Sequence, residues 1–300
     1  MYRAEHGGAA GLVLVSTSDL QSPRRMELDR MIDSVNRFVT RNPDVPVRLF
    51  LLLQRCDPQQ ARAVAETLPS FVSLHTIPHR VSSSAARNMM LGPDAAGGAL
   101  RENDVLGFPD DDCWYPDGLL ERIHGSFAAD PQLDFWFCCY ASKPAPPDSG
   151  VPVTPRLQNA VSRGACNTIF FRGLLARKIG YYDERLGVGA EIDGGEDTDF
   201  SIRAFYLARR SQFVNAPVIG HRDMQPEMRS RYFMGGFVVL AVHALKSPAG
   251  VLAWFRKLAV GLTLVGTGRM KLSFLLRGLW IVLTRNRPKF PVLTPGHLRS

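Results

Sequence analysis

An α/β fold with a mixed, mostly parallel sheet flanked by helices is predicted by three observations. Apolar runs of strand length recur at Gly11–Thr17, Val47–Leu53 and Asp104–Phe108. Between them lie segments with helical spacing of apolar residues, such as Met31, Val35, Phe38 and Val39. The alternation of the two patterns at this interval is that of parallel strands joined by helical crossovers.

Taken in order, Gly11-Leu-Val-Leu-Val-Ser-Thr17 reads as a buried first strand, Met26–Thr40 as a helix and Val47–Leu53 as a second strand. Ala61–Leu68 is predicted helical, Phe71–Thr76 a short strand, Ala85–Leu91 a helix, and Asp104–Phe108 a buried strand that ends at three aspartates. A helix from Pro116 to about Ala129 takes the proline into its first turn, where a missing N–H costs nothing. Leu133–Tyr140 is an apolar, aromatic strand, and Lys143–Pro155 with its five prolines is a loop. Thr168–Arg172 reads as a strand and Phe200–Ala208 as a helix.

Composition bounds the reading. The 300 residues are 45% hydrophobic and 21% charged, as in a globular protein able to bury a substantial core. The net charge of +8 is unevenly spread: Met228–Ser300 holds 12 Lys and Arg and no carboxylate, and the rest of the chain is slightly acidic. The basicity belongs to the C-terminal segment, and such asymmetry points to an anionic partner for that part. Its basic residues are separated by apolar runs and form no recognised nucleic-acid module, so nucleic acid is not expected as a partner. The runs Tyr232–Leu245, Leu258–Gly268 and Phe274–Thr284 fall short of the roughly 20 residues that span a bilayer. Flanked by Lys246, Arg256, Lys257, Arg269, Lys271, Arg277, Arg285 and Arg287, with Trp254 and Trp280, they suit amphipathic helices on an anionic membrane surface. A helical hairpin packed on protein is the alternative. The five cysteines show no CxxC spacing and are odd in number, which suits a reduced compartment. Ala9–Val15 is too short for a secretory signal and lacks a cleavage pattern, so a cytoplasmic location is expected, peripheral on the cytoplasmic membrane face.

Three stretches carry possible chemistry. Asp110, Asp111 and Asp112 follow a buried strand, where the crevice of an α/β sheet opens. Carboxylate oxygens there suit Mg²⁺ or a similar hard cation, whose shell substrate phosphates complete. Neighbours on an extended chain point opposite ways, so all three cannot face one ion. In Gly194-Gly-Glu-Asp-Thr-Asp-Phe200, two glycines give a flexible approach and Glu196, Asp197 and Asp199 open a helix. A carboxylate there can act as general base, with the helix terminus expected to keep its pKa low. Ser82-Ser-Ser-Ala-Ala-Arg-Asn88 leads small residues into Arg87 and Asn88, a cation and an amide fit for phosphates. Each stretch alone also reads as ordinary surface: a solvated turn, an acidic helix start, a lone arginine. Neither GxxxxGK[ST] nor GxGxxG is present, which disfavours kinase and dinucleotide-binding readings.

The order of the pieces is more specific. "SSSAARN", "DVLGFPDDDCWYPDGLLERI", "CNTIFFR", "IGYYDERLGVGA" and "GGEDTDFSIRA" together resemble family 2 glycosyltransferases of the GT-A fold, over Leu12 to His221. The resemblance implies a nucleotide-diphosphate sugar donor, a saccharide or lipid-linked saccharide as hydroxyl acceptor, inversion at the anomeric carbon, and Mg²⁺ or Mn²⁺. It implies Asp111 as the metal ligand, with Asp112 and the late His221 of "VIGHRD" beside it, and Asp110 as the contact to ribose or sugar. Asp197, with Glu196 next to it, matches the family's base, and Thr17, Asp19, Gln54, Arg87 and Asn88 fall where the donor is bound. Departures are visible. The first strand runs into Val15-Ser-Thr-Ser-Asp-Leu20 rather than a Pro-Thr-Tyr-Asn-like turn, and Gln54 stands where an acidic base contact is usual. The QxxRW motif of processive members is not present, Gln225-Pro-Glu-Met-Arg229 being a loose echo, which argues for one sugar per encounter. The division expected is a catalytic domain, 1–225, and a basic, apolar helical tail, 226–300. Rival readings are a metal-dependent nucleotidyltransferase or phosphohydrolase, and a non-catalytic peripheral membrane protein.

Overall fold

The computed structural model describes residues 10–223 and 232–284. The boundary expected at 225/226, the Gln225–Arg229 stretch, and Arg285 and Arg287 lie outside them.

Alternation within the strands decides the layers. In β1 (Leu12–Asp19) and β2 (Val47–Gln54), Leu12, Leu14, Leu49, Leu51 and Leu53 face one apolar core, and Val13, Val15, Phe50 and Leu52 face another. Because successive side chains of a strand point to opposite faces, a fully apolar run must be covered on both sides. One cover is α1 (Arg25–Arg41) with α5 (Leu119–Ala129), through Met31, Val35, Phe38, Ile123 and Phe127. The other is built by α3 (Ser83–Met90), α4 (Ala96–Ala99), α7 (Gly173–Ile179) and α8 (Glu196–Leu207), through Ala86, Met90, Ala96, Leu175, Phe200 and Ala204.

Among the described residues eight strands form one sheet. With β3 (Val72–Ile77), β4 (Val105–Gly107), β5 (Leu133–Ala141), β6 (Pro152–Val153), β7 (Ile169–Arg172) and β8 (Arg210–Gly220), the order is β3-β2-β1-β4-β7-β5-β8-β6. Six strands run one way; β7, between β4 and β5, and the edge strand β6 run the other. The C-terminal ends of β1, β2, β4, β5 and β8 therefore meet along one edge, the expected place for ligands.

Some boundaries differ from expectation. α5 begins at Leu119, after a left-handed Gly118, so Pro116 stands ahead of the first turn. α8 begins four residues earlier than the apolar spacing indicated, at Glu196, and its first turn carries the acids. α2 (Pro58–Ala65) starts at a capping box of Asp57 and Gln60. α6 (Leu157–Arg163), α7 and β8 are additional elements.

Among the described residues, the C-terminal segment forms three α-helices, Phe233–His243, Pro248–Gly266 and Leu272–Thr284. They share a core with the main domain: Met234, Val238, Ala253 and Ile281 pack with Leu157 of α6, Ile202 of α8, Leu186 and Ile192. The middle helix corrects one expectation. Its 19 residues continue through Arg256 and Lys257, and by length and composition it is apolar enough to cross a membrane, with a mean hydropathy of 1.4. Counting only charge-free runs had hidden this length.

Candidate active site

The three aspartates leave β4 through Phe108 and Pro109, and the chain then runs across the sheet edge to pair with the end of β8. Trp114 and Gly220 exchange both backbone hydrogen bonds there, at 2.9 and 3.0 Å. This bridge sets Asp112 beside His221, whose Nε2 lies 3.0 Å from Asp112 Oδ1 and 3.9 Å from Asp110 Oδ2. The His221 ring packs edge-on against Tyr140 at the end of β5. One ligand atom each from Asp110, Asp112 and His221 come within 4.8 Å of one another.

Asp110 to Cys113 form a turn, closed by the Cys113 N–H on the Asp110 carbonyl at 3.1 Å, and from it the Asp111 side chain reaches Ser18 of β1 rather than His221. Its Oδ2 accepts from Ser18 Oγ at 2.7 Å and its Oδ1 from Arg24 at 3.2 Å. Of the metal set expected from sequence, Asp111, Asp112 and His221, the last two are together here, and Asp110, expected on the sugar or ribose, joins them in place of Asp111. Burial, opposed by Ser18 and Arg24, raises the Asp111 pKa. Burial also raises Asp110, against Arg87 and His221. Burial works against ionisation of Asp112 too, but His221, Arg222 and Arg24 outweigh it and the pKa falls. Burial likewise works against the charged form of His221, and its hydrogen bond to Asp112 with the nearby carboxylates raises it on balance.

Arg87 joins this group to the second acidic cluster. The guanidinium is nearly buried and stacks over Tyr182; Nη2 is 3.2 Å from Asp110 Oδ1, and Nη1 is 3.6 Å from Glu196 and 3.5 Å from Asp197. Phe108 meets both Tyr182 and Phe200 edge-on at 5.6 Å, which fixes α8 against the end of β4. Glu196 accepts from Ser83 Oγ at 3.2 Å, and Asp197 Oδ2 from the Cys166 backbone N–H at 3.0 Å. The pKa of Asp197 is raised to about 6, by burial first and Glu196 second, against Arg87 and the Cys166 N–H. This corrects the expectation of a low value: burial beside a like charge outweighs the helix terminus.

The remaining residues expected at a donor, Thr17, Asp19 and Gln54, lie along the same edge. Thr17 and Asp19 end β1, and Gln54 ends β2 with its side-chain oxygen accepting from Val81 N–H at 2.8 Å. Asp19 is held by Arg55 Nε at 2.8 Å with Arg80 at 3.8 Å. Among the described residues, Arg55 is the one non-glycine residue with positive φ, at 54°, a costly conformation for arginine that aims it back at Asp19. Asn88 is committed elsewhere: its amide donates to Tyr182 O and Glu184 and accepts from Tyr182 N–H. Sequence reasoning missed Ser18, Arg24, Arg222, Ser83 and the Cys166 N–H. Of these only Arg24, just ahead of a helix at the sheet's C-terminal edge, carried a readable signal.

The donor set fits a divalent cation. Ligand atoms on one octahedral ion lie about 3 Å (adjacent) to about 4.2 Å (opposite) apart, a small contraction from the spacing found. Asp112 is buried and ionised among Arg222 Nε at 2.7 Å, Arg24 Nη1 at 3.6 Å and His221 Nε2 at 3.0 Å, so its carboxylate is available as an anionic ligand.

No family model and no curated protein sequence matches this chain. Solved structures do. Residues 1–349 of Staphylococcus aureus TarS in complex with UDP align with a TM-score of 0.57 and 15% identity, over 83% of this chain and 70% of that one. The mannosyltransferase PcManGT from Pyrobaculum calidifontis, in complex with GDP-Man and Mn²⁺, aligns at 0.52 and 14% identity, over 91% of this chain and 87% of that one. GalNAc-T7 with UDP, GalNAc and Mn²⁺ gives 0.52 and 14%, over 79% of this chain and 48% of that one. The fold is GT-A. In two other TarS structures the match spans 65% and 40% of the TarS chain.

Proposed function

We propose that this protein is an inverting glycosyltransferase that moves a sugar from a nucleoside-diphosphate donor to a hydroxyl of a saccharide or lipid-linked saccharide. The observation that carries the proposal is the arrangement about Arg87. Asp110, Asp112 and His221 lie on one side of it, and Asp197 with Glu196 on the other.

In this reading Asp110, Asp112 and His221 hold Mn²⁺ or Mg²⁺, the imidazole nitrogen favouring Mn²⁺ over the oxygen-preferring Mg²⁺. When bound, the ion supplies positive charge to the donor's diphosphate as it leaves. Asp111 supports the loop through Ser18 and Arg24. Arg87 adds a fixed cation beside the departing phosphates. Asp197 accepts the proton of the attacking hydroxyl, and a pKa of about 6 leaves it ionised yet basic enough to take that proton at neutral pH. Thr17, Asp19 and Gln54, on the ends of β1 and β2, face the nucleoside.

Supporting a membrane role are exposed apolar side chains on the C-terminal helices, Leu252, Phe255, Leu276, Trp280 and Leu283, beside exposed Lys246, Arg256, Arg269, Lys271 and Arg277. In our reading these helices lie on an anionic surface at the cytoplasmic face and bring the site to a lipid-linked acceptor. Helices whose inner faces pack on α6 and α8 suit lying on a bilayer better than crossing it.

The test is a panel of UDP-, GDP- and dTDP-sugars incubated with the protein, Mn²⁺ and glycolipid or saccharide acceptors. Metal-dependent release of nucleoside diphosphate with an inverted product anomer is expected. Pyrophosphate release, or turnover that EDTA leaves intact, would overturn the proposal.

A further inference from the structure

We infer that the first C-terminal helix, Phe233–His243, is a positioning element for Asp197, acting through His243 and through Gly235; this rests on the reading of Asp197 as the base. His243 Nε2 lies 2.7 Å from Asp199 Oδ1, and both side chains are buried. Asp199 stands two residues beyond Asp197 in the first turn of α8. Its other oxygen is taken by Arg203 Nε at 2.8 Å, and Arg203 also donates to the backbone carbonyl of Tyr181. Asp199 is thus clamped between its own helix and the C-terminal segment, and burial, which opposes ionisation, is outweighed by Arg203 and His243 so that its pKa falls.

The turn that launches α8 is gripped as well. Gly194 and Gly195 both have left-handed backbone, φ 74° and 89°. A Cβ at Gly195 would come within 2.6 Å of Gly235, and one at Gly235 within 2.1 Å of the Gly194 carbonyl. The ring of Tyr232 closes over Gly194, 2.9 Å from where its Cβ would stand. The two glycines read in the sequence as a flexible approach are instead a close backbone-to-backbone contact. At the far end of α8, Tyr206 Oη meets Ser247 Oγ at 2.6 Å.

The metal group is held differently. Asp110, Asp112 and His221 rest on β4, β8, Arg87, Arg24, Arg222 and Tyr140, none of which is on the C-terminal helices. Arg87 also contacts Glu196 and Asp197 of α8, so a change at His243 should act chiefly on the base, with a smaller effect on nucleotide and metal. Loss of fold would not make that distinction.

The experiment uses the full chain with His243→Ala, His243→Asn and His243→Gln. Affinity for Mn²⁺ with UDP or GDP is measured by calorimetry, alongside kcat and KM for whichever sugar nucleotide is turned over, and Tm. His243→Ala and His243→Asn are expected to lower kcat about tenfold or more, with nucleotide affinity within twofold of the parent. His243→Gln, whose amide reaches as far as Nε2, restores most of kcat. Unchanged kcat in His243→Asn overturns the inference, and so does a parallel loss of kcat and nucleotide affinity in a folded variant. If His243→Ala does not fold, the Asn and Gln pair decides alone. Asp197→Asn separates the two readings. Retained turnover there removes the base itself; lost turnover there, with normal kcat in the His243 variants, removes only the positioning role.

Discussion

Arg87 Nη1 and Asp197 Oδ1 face one another at 3.5 Å, both buried and neither hydrogen-bonded. The same guanidinium reaches Asp110 at 3.2 Å, so a single planar cation ties Asp110 to Asp197. Lysine cannot serve both sides from one point charge. Arg87→Lys is expected to lower kcat by about 10–100-fold at unchanged fold. Arg87→Ala, which removes the shared cation from buried Glu196 and partly buried Asp110 and Asp197, should cost about 1–3 kcal/mol. Steady-state nucleoside diphosphate release and urea denaturation measure the two effects.

The raised pKa of Asp197 predicts the acid side of the rate profile. A general base works only when ionised, so kcat should fall about tenfold per pH unit below about pH 6 and be level above it. An ordinary carboxylate would hold the rate to about pH 4. A pH–kcat series at saturating donor and metal distinguishes the two.

The same shift has an opposite consequence for stability. The folded-state pKa, about 6, exceeds the ordinary 3.8, so ionising Asp197 weakens the fold. The stability it withholds is present below about pH 4 and lost as pH rises to about 6. Asp197→Asn should therefore be inactive yet more stable than the parent at pH 8, by about 1–3 kcal/mol, with the difference vanishing near pH 4. Chemical denaturation at the two pH values tests the sign.

Metal binding should follow side-chain direction, not the order of the motif. Asp110→Ala, Asp112→Ala and His221→Ala are each expected to weaken Mn²⁺ affinity about 10–100-fold. Asp111→Asn, which keeps an oxygen to accept from Arg24 and can donate its amide to Ser18 Oγ, should weaken it far less. Mn²⁺ titration followed by electron paramagnetic resonance reads this without turnover, and equal losses at Asp111 and Asp112 would refute the assignment.

Membrane association should depend on both the apolar and the basic residues of the last two helices. Vesicles containing phosphatidylserine or phosphatidylglycerol are expected to float the parent protein and neutral ones are not. Reversing Arg269, Lys271 and Arg277 to glutamate should abolish flotation, each basic residue near an anionic surface contributing about 1 kcal/mol. Leu252→Ser with Trp280→Ser should weaken it at constant charge. Flotation indifferent to both sets would sink the idea.

Much of this was readable from residue order, and the gaps have physical causes. Apolar runs such as Val47–Leu53 announce strands because both faces need cover. β8 escaped notice because Arg210, Gln212, Asn215 and Pro217 interrupt its pattern, proline being unusual inside a sheet. It is accommodated by register shifts against β5. The acidic stretches were legible as types, but the roles within them were not. Whether Asp110 or Asp111 joins His221 is decided by a bridge between Trp114 and Gly220, residues far apart in the chain. The Asp197 shift depends on burial by partners that no local pattern names.

That bridge also sets an order of events. Two of the three converging side chains leave the sheet at β4 and the third at β8, with β7 and β5 between them. A nascent chain can complete β1 to β4 and still lack the Asp110–Asp112–His221 cluster until residue 221 has emerged and the last long strand has docked. If this cluster holds Mn²⁺ as proposed, recovery of Mn²⁺ binding during refolding becomes a clock for the final stage of sheet assembly.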